Sequence, residues 1–204
     1  MDPRESAAFW NERYRDVDRL WAANPNALLA ELAAELAPGR AVDLGAGEGR
    51  NAIWLAKNGW SVTAVDVSDV GLARAARRAE EEVVELECVV SDWREYRAQA
   101  PFHLAVISFM HPRPEDRARM FSSARDMLVP GGHLFTVGVD LSELDRRGPR
   151  DAERLYTPER LRVALTGFEV LRCETVAYEG EGTEGSRPVV DVVATARRPA
   201  TEGS

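Results

Sequence analysis

The sequence predicts a doubly wound α/β fold, a mostly parallel sheet with helices on both faces. Three observations predict it. From residue 40 onward, short apolar runs alternate with amphipathic helical stretches across short turns, the pattern of strand–helix–strand units. A glycine-rich turn follows the first apolar run, where an open α/β sheet binds its ligand. Two β-rich runs with no helix between them close the chain, so they should lie antiparallel. With 204 residues, one domain over residues 1–197 and a frayed tail over 198–204 are expected.

Taken in order, residues 5–14 read as a short amphipathic helix. A second follows Asn24-Pro25, with Leu28, Leu29, Leu32 and Leu36 on one face. Pro38-Gly39 stops it, and residues 1–37 make an N-terminal helical cap. Arg40–Leu44 is the first strand. Residues 49–58 are helical, closed by Gly59. A second strand spans 60–67, a helix 70–82 and a third strand 83–90. The fourth strand, 102–109, is almost continuously apolar, as burial on both faces requires. Met120, Phe121, Ala124, Met127 and Leu128 mark the inner face of the next helix. Pro130-Gly131-Gly132 turns the chain into a fifth strand, 133–139. Thr157-Pro158 is an N-cap with proline at the first helical position. Residues 168–178 and 188–196 are the closing pair, joined by an acidic, glycine-rich connection over 179–186.

Composition narrows the function. Hydrophobic residues are 45% and charged residues 29% of the chain, ordinary for a soluble protein. A net charge of −8 repels phosphate backbones and argues against a nucleic-acid partner. Cys88 and Cys173 form neither a metal-type nor a redox-type spacing, so no disulfide framework is implied, and Cys88 reads as core. No basic region followed by an apolar stretch marks a signal peptide, and no apolar run reaches the roughly 18 residues of a membrane span. A cytoplasmic location, no membrane partner, and a monomer or homodimer are the expectations.

The stretch Val42-Asp43-Leu44-Gly45-Ala46-Gly47-Glu48-Gly49-Arg50-Asn51 carries the chemistry. Its glycines let backbone approach a ligand closely, and the following helix start favours an anionic group. Asp66 ends the second strand, 21 positions after Gly45. A carboxylate at that tip can accept both hydroxyls of a ribose diol, so the pair asks for an adenosine-like ligand. A nicotinamide dinucleotide is the rival, but its G-x-G-x-x-G fingerprint needs a third glycine at position 50, which is Arg50. An oxidoreductase and a non-catalytic cofactor-binding module stand as alternatives.

On these residues the chain resembles class I S-adenosylmethionine-dependent methyltransferases. The resemblance implies a Rossmann-like seven-stranded sheet of order 3-2-1-4-5-7-6 with strand 7 antiparallel, and S-adenosyl-L-methionine as cofactor. It makes Asp43, Gly45, Ala46, Gly47 and Asn51 cofactor-binding residues of the first motif. Asp66, followed by Val67, would hold the ribose. Ser91-Asp92-Trp93 resembles the segment that contacts adenine, and Ser108 the segment beside the methionine moiety. Within the class the chain most resembles small bacterial tellurite-resistance and thiopurine-type enzymes. Gly49-Arg50-Asn51, Trp10-Asn11-Glu12-Arg13-Tyr14 and Gly148-Pro149…Leu155-Tyr156-Thr157-Pro158 carry that likeness. In that group N-terminal aromatics cover the cofactor, which implicates Trp10 and Tyr14. Many of those relatives have a histidine in the strand-five tail where this chain has Val139.

Methyl transfer from a sulfonium is an in-line displacement that needs mainly positioning. A general base is needed only when the acceptor must lose a proton. The catalytic candidate is His111, just after the fourth strand; His103 and His133 read as structural, and the three histidines lack metal-ligand spacing, so no metal is expected. Residues 140–156 are long for a loop and suit a lid. There Arg146, Arg147 and Arg150 either hold an anionic acceptor or pair with Glu143, Asp145 and Asp151. Trp21 walls an acceptor pocket or joins the core. The expected partner is a small-molecule methyl acceptor.

Overall fold

The structure, a computed structural model, describes residues 3–18, 20, 24–178 and 188–200, and of residues 3–6 the backbone only. Trp21 and the 179–186 connection fall outside them. Seven strands hydrogen-bond into one sheet in the order β3-β2-β1-β4-β5-β7-β6. The chain forms two compact units, Met1–Ile107 and Ser108–Ser204.

In the first unit, helices α1 (Pro3–Arg15) and α2 (Ala27–Ala34) precede strand β1 (Arg40–Leu44), helix α3 (Arg50–Lys57), strand β2 (Ser61–Asp66), helix α4 (Asp69–Glu81), strand β3 (Glu87–Val90) and strand β4 (Phe102–Ser108). Asn26 starts α2 by accepting the Leu28 and Leu29 N–H groups on its side chain. Strands β1, β2 and β3 run parallel, and β4 runs parallel to β1. Ala41, Val42 and Leu44 have no exposed surface. Because neighbours in a strand point to opposite faces, both faces of β1 are covered. The register sets Leu44 level with Val65. Gly45 and Asp66 are therefore the first residues past that level, which brings the glycine turn to the Asp66 carboxylate.

Strand β3 begins four residues later than its valines suggest. Val83 takes φ 57 and closes α4, with its N–H on the Glu80 carbonyl and the Val84 N–H on that of Ala79. The bonding is that of a Schellman cap, so cap geometry overrides β-propensity there. Cys88 is half-buried on this edge strand rather than in the core. Lys57, the chain's one lysine, ends α3 with an ion pair to Glu82 at 2.7 Å.

The second unit holds helix α5 (Pro114–Asp126), strand β5 (Leu128–Val139), a 3-10 turn (Leu141–Glu143), helix α6 (Pro158–Ala164) and strands β6 (Glu169–Tyr178) and β7 (Val189–Arg197). Strand β7 lies antiparallel to both β5 and β6. Thr157 caps α6 by accepting the Arg160 N–H, with Pro158 in the first turn. Two boundaries differ from the sequence pattern. Met127 caps α5 and Leu128 already begins β5. The expected turn at Pro130-Gly131-Gly132 lies inside that strand, because Gly131 and Gly132 exchange backbone hydrogen bonds with Arg198. That pairing ties down the first residue of the expected tail. Among the described residues no helix is long and apolar enough to cross a membrane.

Candidate functional site

In the first unit, the glycine turn is built by alternation. Gly45, Gly47 and Gly49 have φ of 73, 54 and 75, the left-handed region, while Ala46 and Glu48 between them do not. That alternation explains the G-x-G-x-G spacing, since L-residues pay about 1–2 kcal/mol for each such φ. Gly45 and Ala46 donate to the Val65 carbonyl at 2.8 and 3.1 Å, fastening the turn to β2. Asp66 sits against the turn. Its Oδ2 accepts the Gly47 N–H and its Oδ1 the Ser68 N–H, both at 2.8 Å. Burial pushes the Asp66 carboxyl up, and the N–H groups of Ser68, Gly47 and Val67 hold it back.

Asp43, one step inside the tip of β1, is fully enclosed, and its Oδ1 has no hydrogen-bond partner. Burial pushes its carboxyl up to about 7, against the pull of Arg50 and with a further push from Asp66. A buried carboxyl with a spare oxygen is costly unless something charged or protic meets it.

Around these acids the other expected residues divide. Ser91 donates its N–H to the Asp66 carbonyl at 2.9 Å, so the 91–93 segment begins beside the β2 tip. Asp92 is buried but occupied by Arg94, through the backbone N–H at 2.7 Å and the guanidinium at 3.1 Å. That guanidinium stacks over buried Trp93. Val67 is half-buried. Asn51 is buried and takes the Asn26 N–H on its Oδ1 at 3.0 Å, a strut between α2 and α3. Helix α1 docks on the start of α4. Asn11 bonds Asp69 at 2.6 Å and Ser68 at 2.5 Å. Tyr14, buried, lies where a Cβ on Gly71 would meet its ring at 2.9 Å and the Gly47 carbonyl at 3.2 Å. Trp10 stacks on Tyr14, so the helix places both rings together beside the glycine turn.

Glu48 was not singled out by the sequence reading. Buried inside the turn, it accepts the Leu20 N–H at 3.0 Å and an Arg74 N–H at 3.0 Å. It thereby fastens the chain after α1 to the glycine turn. The available signal was an acid between two glycines, a costly place for a charge without a purpose.

In the second unit, Ser108 ends β4, half-buried, and Phe109 follows at φ 57. His111 does not stand free to take a proton. Its Nε2 accepts the Val139 N–H at 3.0 Å, which leaves the ring proton on Nδ1, bonded to the Phe109 carbonyl. Burial, with Arg154, Arg117 and Arg147 nearby, lowers it to about 4. Both nitrogens are engaged by the backbone. The strand-five tail, where Val139 stands, thus still receives an imidazole, but from position 111. Tyr156 donates its hydroxyl to the Met110 carbonyl at 2.8 Å, and its ring fills the space a side chain at Gly138 would need. His103 accepts the Arg40 N–H at 3.1 Å and is structural. Among the described residues no group of three His, Cys, Asp or Glu could hold a metal.

The 140–156 segment is closed at its neck, where the Tyr156 N–H bonds the Val139 carbonyl and the Leu141 N–H bonds the Tyr156 carbonyl. Arg146 pairs with Glu143 at 2.9 Å, and Arg147 pairs with Asp191, whose other oxygen takes the Tyr178 hydroxyl. Of the expected arginines, two are therefore internal partners, and Arg150 is exposed.

Residues 41–132 match the family model of a methyltransferase domain. No curated protein matches the chain. Solved structures match it in fold. A protein studied for the conversion of a disulfide bond into a thioacetal group during echinomycin biosynthesis is 17% identical, with TM-score 0.78 over 97% of this chain and 93% of its own. TehB from Haemophilus influenzae is 18% identical, with TM-score 0.72 over 95% of this chain and 67% of its own. Magnesium protoporphyrin IX methyltransferase from Synechocystis, with bound S-adenosylmethionine, is 17% identical, with TM-score 0.72 over 97% of each chain.

Proposed function

We propose that this chain is a class I S-adenosylmethionine-dependent methyltransferase, a reading supported by the methyltransferase-domain match over residues 41–132 and by the strand order, and that it moves the cofactor's methyl group to a small-molecule acceptor. The acceptor atom is oxygen, nitrogen, sulfur or a metalloid. The observation that carries the reading is the pair of acids at the glycine turn: Asp66, a buried carboxylate held at the turn by backbone N–H groups, and Asp43 with a buried, unpartnered Oδ1. Ribose hydroxyls suit the first and an amino-acid ammonium the second. An ammonium beside Asp43 would also offset the burial that pushes its carboxyl up.

When bound, the cofactor supplies a sulfonium methyl that is already electrophilic, so the protein's task is alignment. Gly45, Ala46 and Gly47 would bring backbone against the ligand. Ser91, Asp92 and Trp93 would border the adenine, and Trp10 and Tyr14 would cover it. Ser108 would border the methionine portion. Holding donor and acceptor in line is worth about 7–11 kcal/mol in effective concentration. In this reading His111 is a positioning residue: it fixes Phe109 and Val139, and does not carry the proton.

Calorimetric titration with S-adenosylmethionine, S-adenosylhomocysteine and the nicotinamide dinucleotides tests the proposal. Binding of the two adenosyl ligands alone is expected, followed by methyl transfer in an acceptor screen. Binding of a dinucleotide alone would overturn it.

A further inference from the structure

The second unit carries an arrangement that methyl-donor binding does not use. Three arginines converge on the neck of the 140–156 segment, and their partners are neutral. Arg117 donates to the Glu153 carbonyl. Arg160 donates to the Ala152 carbonyl at 2.7 Å and the Leu155 carbonyl at 3.2 Å. Arg154 donates through Nε to the His111 carbonyl at 2.7 Å. The segment's own acids do not answer these charges. Asp151 and Glu153 are exposed, and the Asp151 carboxylate takes the Glu153 N–H. Glu143 and Asp191 are taken by Arg146 and Arg147.

Arg117 and Arg154 are the pair of interest. Arg117 bonds the carbonyl of Glu153, the residue before Arg154, and lies over Tyr156, whose hydroxyl bonds Met110 beside the His111 carbonyl that holds Arg154, so the two side chains are anchored on neighbouring backbone. Arg117 is buried, lies over the Tyr156 ring at 4.8 Å, and has an Nε with no hydrogen-bond partner. Its burial pulls it below the ordinary arginine range. Arg154 is half-buried, and its single bond engages Nε. Among the described residues its two terminal nitrogens, the fork that matches an oxyacid, are uncommitted. In a chain of net charge −8, two cations with no carboxylate partner among the described residues are a poor use of charge unless an anion arrives from outside.

We propose that Arg154, with Arg117 behind it, forms a binding site for an oxyacid group, carboxylate or phosphate, just past the carboxyl end of β4. If the function proposed above holds, this group belongs to the methyl acceptor, which is then an anionic small molecule. The site consists of side chains of the second unit only, and the carboxyl ends of strands are where open α/β sheets take ligands. Phe109, His111 and Tyr156 supply the rigid backing. The bonds of His111 to Phe109 and Val139 and of Tyr156 to Met110 fix the His111 carbonyl that holds Arg154 in place.

The test uses the full chain with two probes, benzoate and inorganic phosphate, at matched ionic strength. Affinities are read by calorimetry for the wild type, Arg154→Met, Arg154→Lys and the exposed control Arg150→Met. We expect wild type and Arg150→Met to bind alike, and Arg154→Met to lose about tenfold or more. Arg154→Lys should recover only part, because an ammonium cannot form the fork. Which probe binds tells a carboxylic from a phosphorylated acceptor. Binding of neither probe by wild type, or unchanged binding in Arg154→Met, overturns the site. S-adenosylhomocysteine titrated into each variant shows that the fold persists. If that ligand fails on the wild type while a probe binds, the methyltransfer reading falls and the anion site stands.

Discussion

The glycine turn of the first unit and the β4 tail of the second invest in opposite charges. At the turn, Asp43 and Asp66 are buried carboxyls whose protein partners are backbone N–H groups. At the tail, Arg117 and Arg154 are cations whose hydrogen-bonded partners are backbone carbonyls. Peptide dipoles do much of the holding at both, although Arg50 also pulls on Asp43 and the Tyr156 ring lies under Arg117. The first suits hydroxyls and an ammonium, the second an oxyacid. Buried ionic groups that the fold itself does not neutralise are the mark of sites that await a ligand.

The largest effect should come from filling the tail's tightest contact. Gly138→Ala would drive a methyl into the Tyr156 ring, which is already tied to Met110. A loss of about 3 kcal/mol in denaturant unfolding is expected. A loss below about 1 kcal/mol would mean the tail is less rigid than the turn. At the turn, Asp66→Ala should weaken S-adenosylhomocysteine binding by about 1.5–3 kcal/mol in calorimetry. Unchanged affinity in a folded variant would remove the ribose assignment.

The two regions should also leave opposite marks on stability against pH. Asp43 resists ionisation to about 7 in the native state, whereas the unfolded chain ionises at the ordinary carboxylate value. The native state then binds more protons over that window, so this group's effect lowers stability as pH rises from about 4 to about 7. His111 resists protonation down to about 4. The unfolded chain then binds more protons, so its effect lowers stability as pH falls from about 6.5 to about 4. Melting temperatures of Asp43→Asn and His111→Asn across that range should each lose one of these slopes. A variant that keeps the wild-type profile would show that its group does not titrate as the geometry requires. The smallest expected effect is on ligand affinity: S-adenosylhomocysteine should bind modestly better as pH rises through about 7, and Asp43→Asn should flatten that dependence.

What could be read from the sequence follows the distance over which the chemistry acts. Gly45, Gly47, Gly49 and Asp66 lie within two neighbouring strands and their turns, so spacing alone drew their relation, and the antiparallel close of β6 and β7 needed only the missing helix. Glu48 could not be read that way, because its partners Leu20 and Arg74 lie 28 and 26 positions off. His111 looked like a base because it follows a strand. Its engagement depends on Val139, 28 positions away, and its neighbour Arg154 is 43 away. Val83 misled for a local reason: valine favours strands, but here one valine absorbs the left-handed φ that ends α4.

Lys57 carries a practical consequence. A protease that cuts only after lysine has one target bond in the whole chain, Lys57–Asn58. That bond lies at the last turn of α3, where the Asn58 N–H reaches the carbonyls of Trp54 and Leu55 and the Asn58 side chain returns to Trp54. Cleavage there needs this turn to unwind. The rate of that single cut is therefore a clock for the opening of α3, the helix that begins at the glycine turn, and a ligand seated on the turn should slow it.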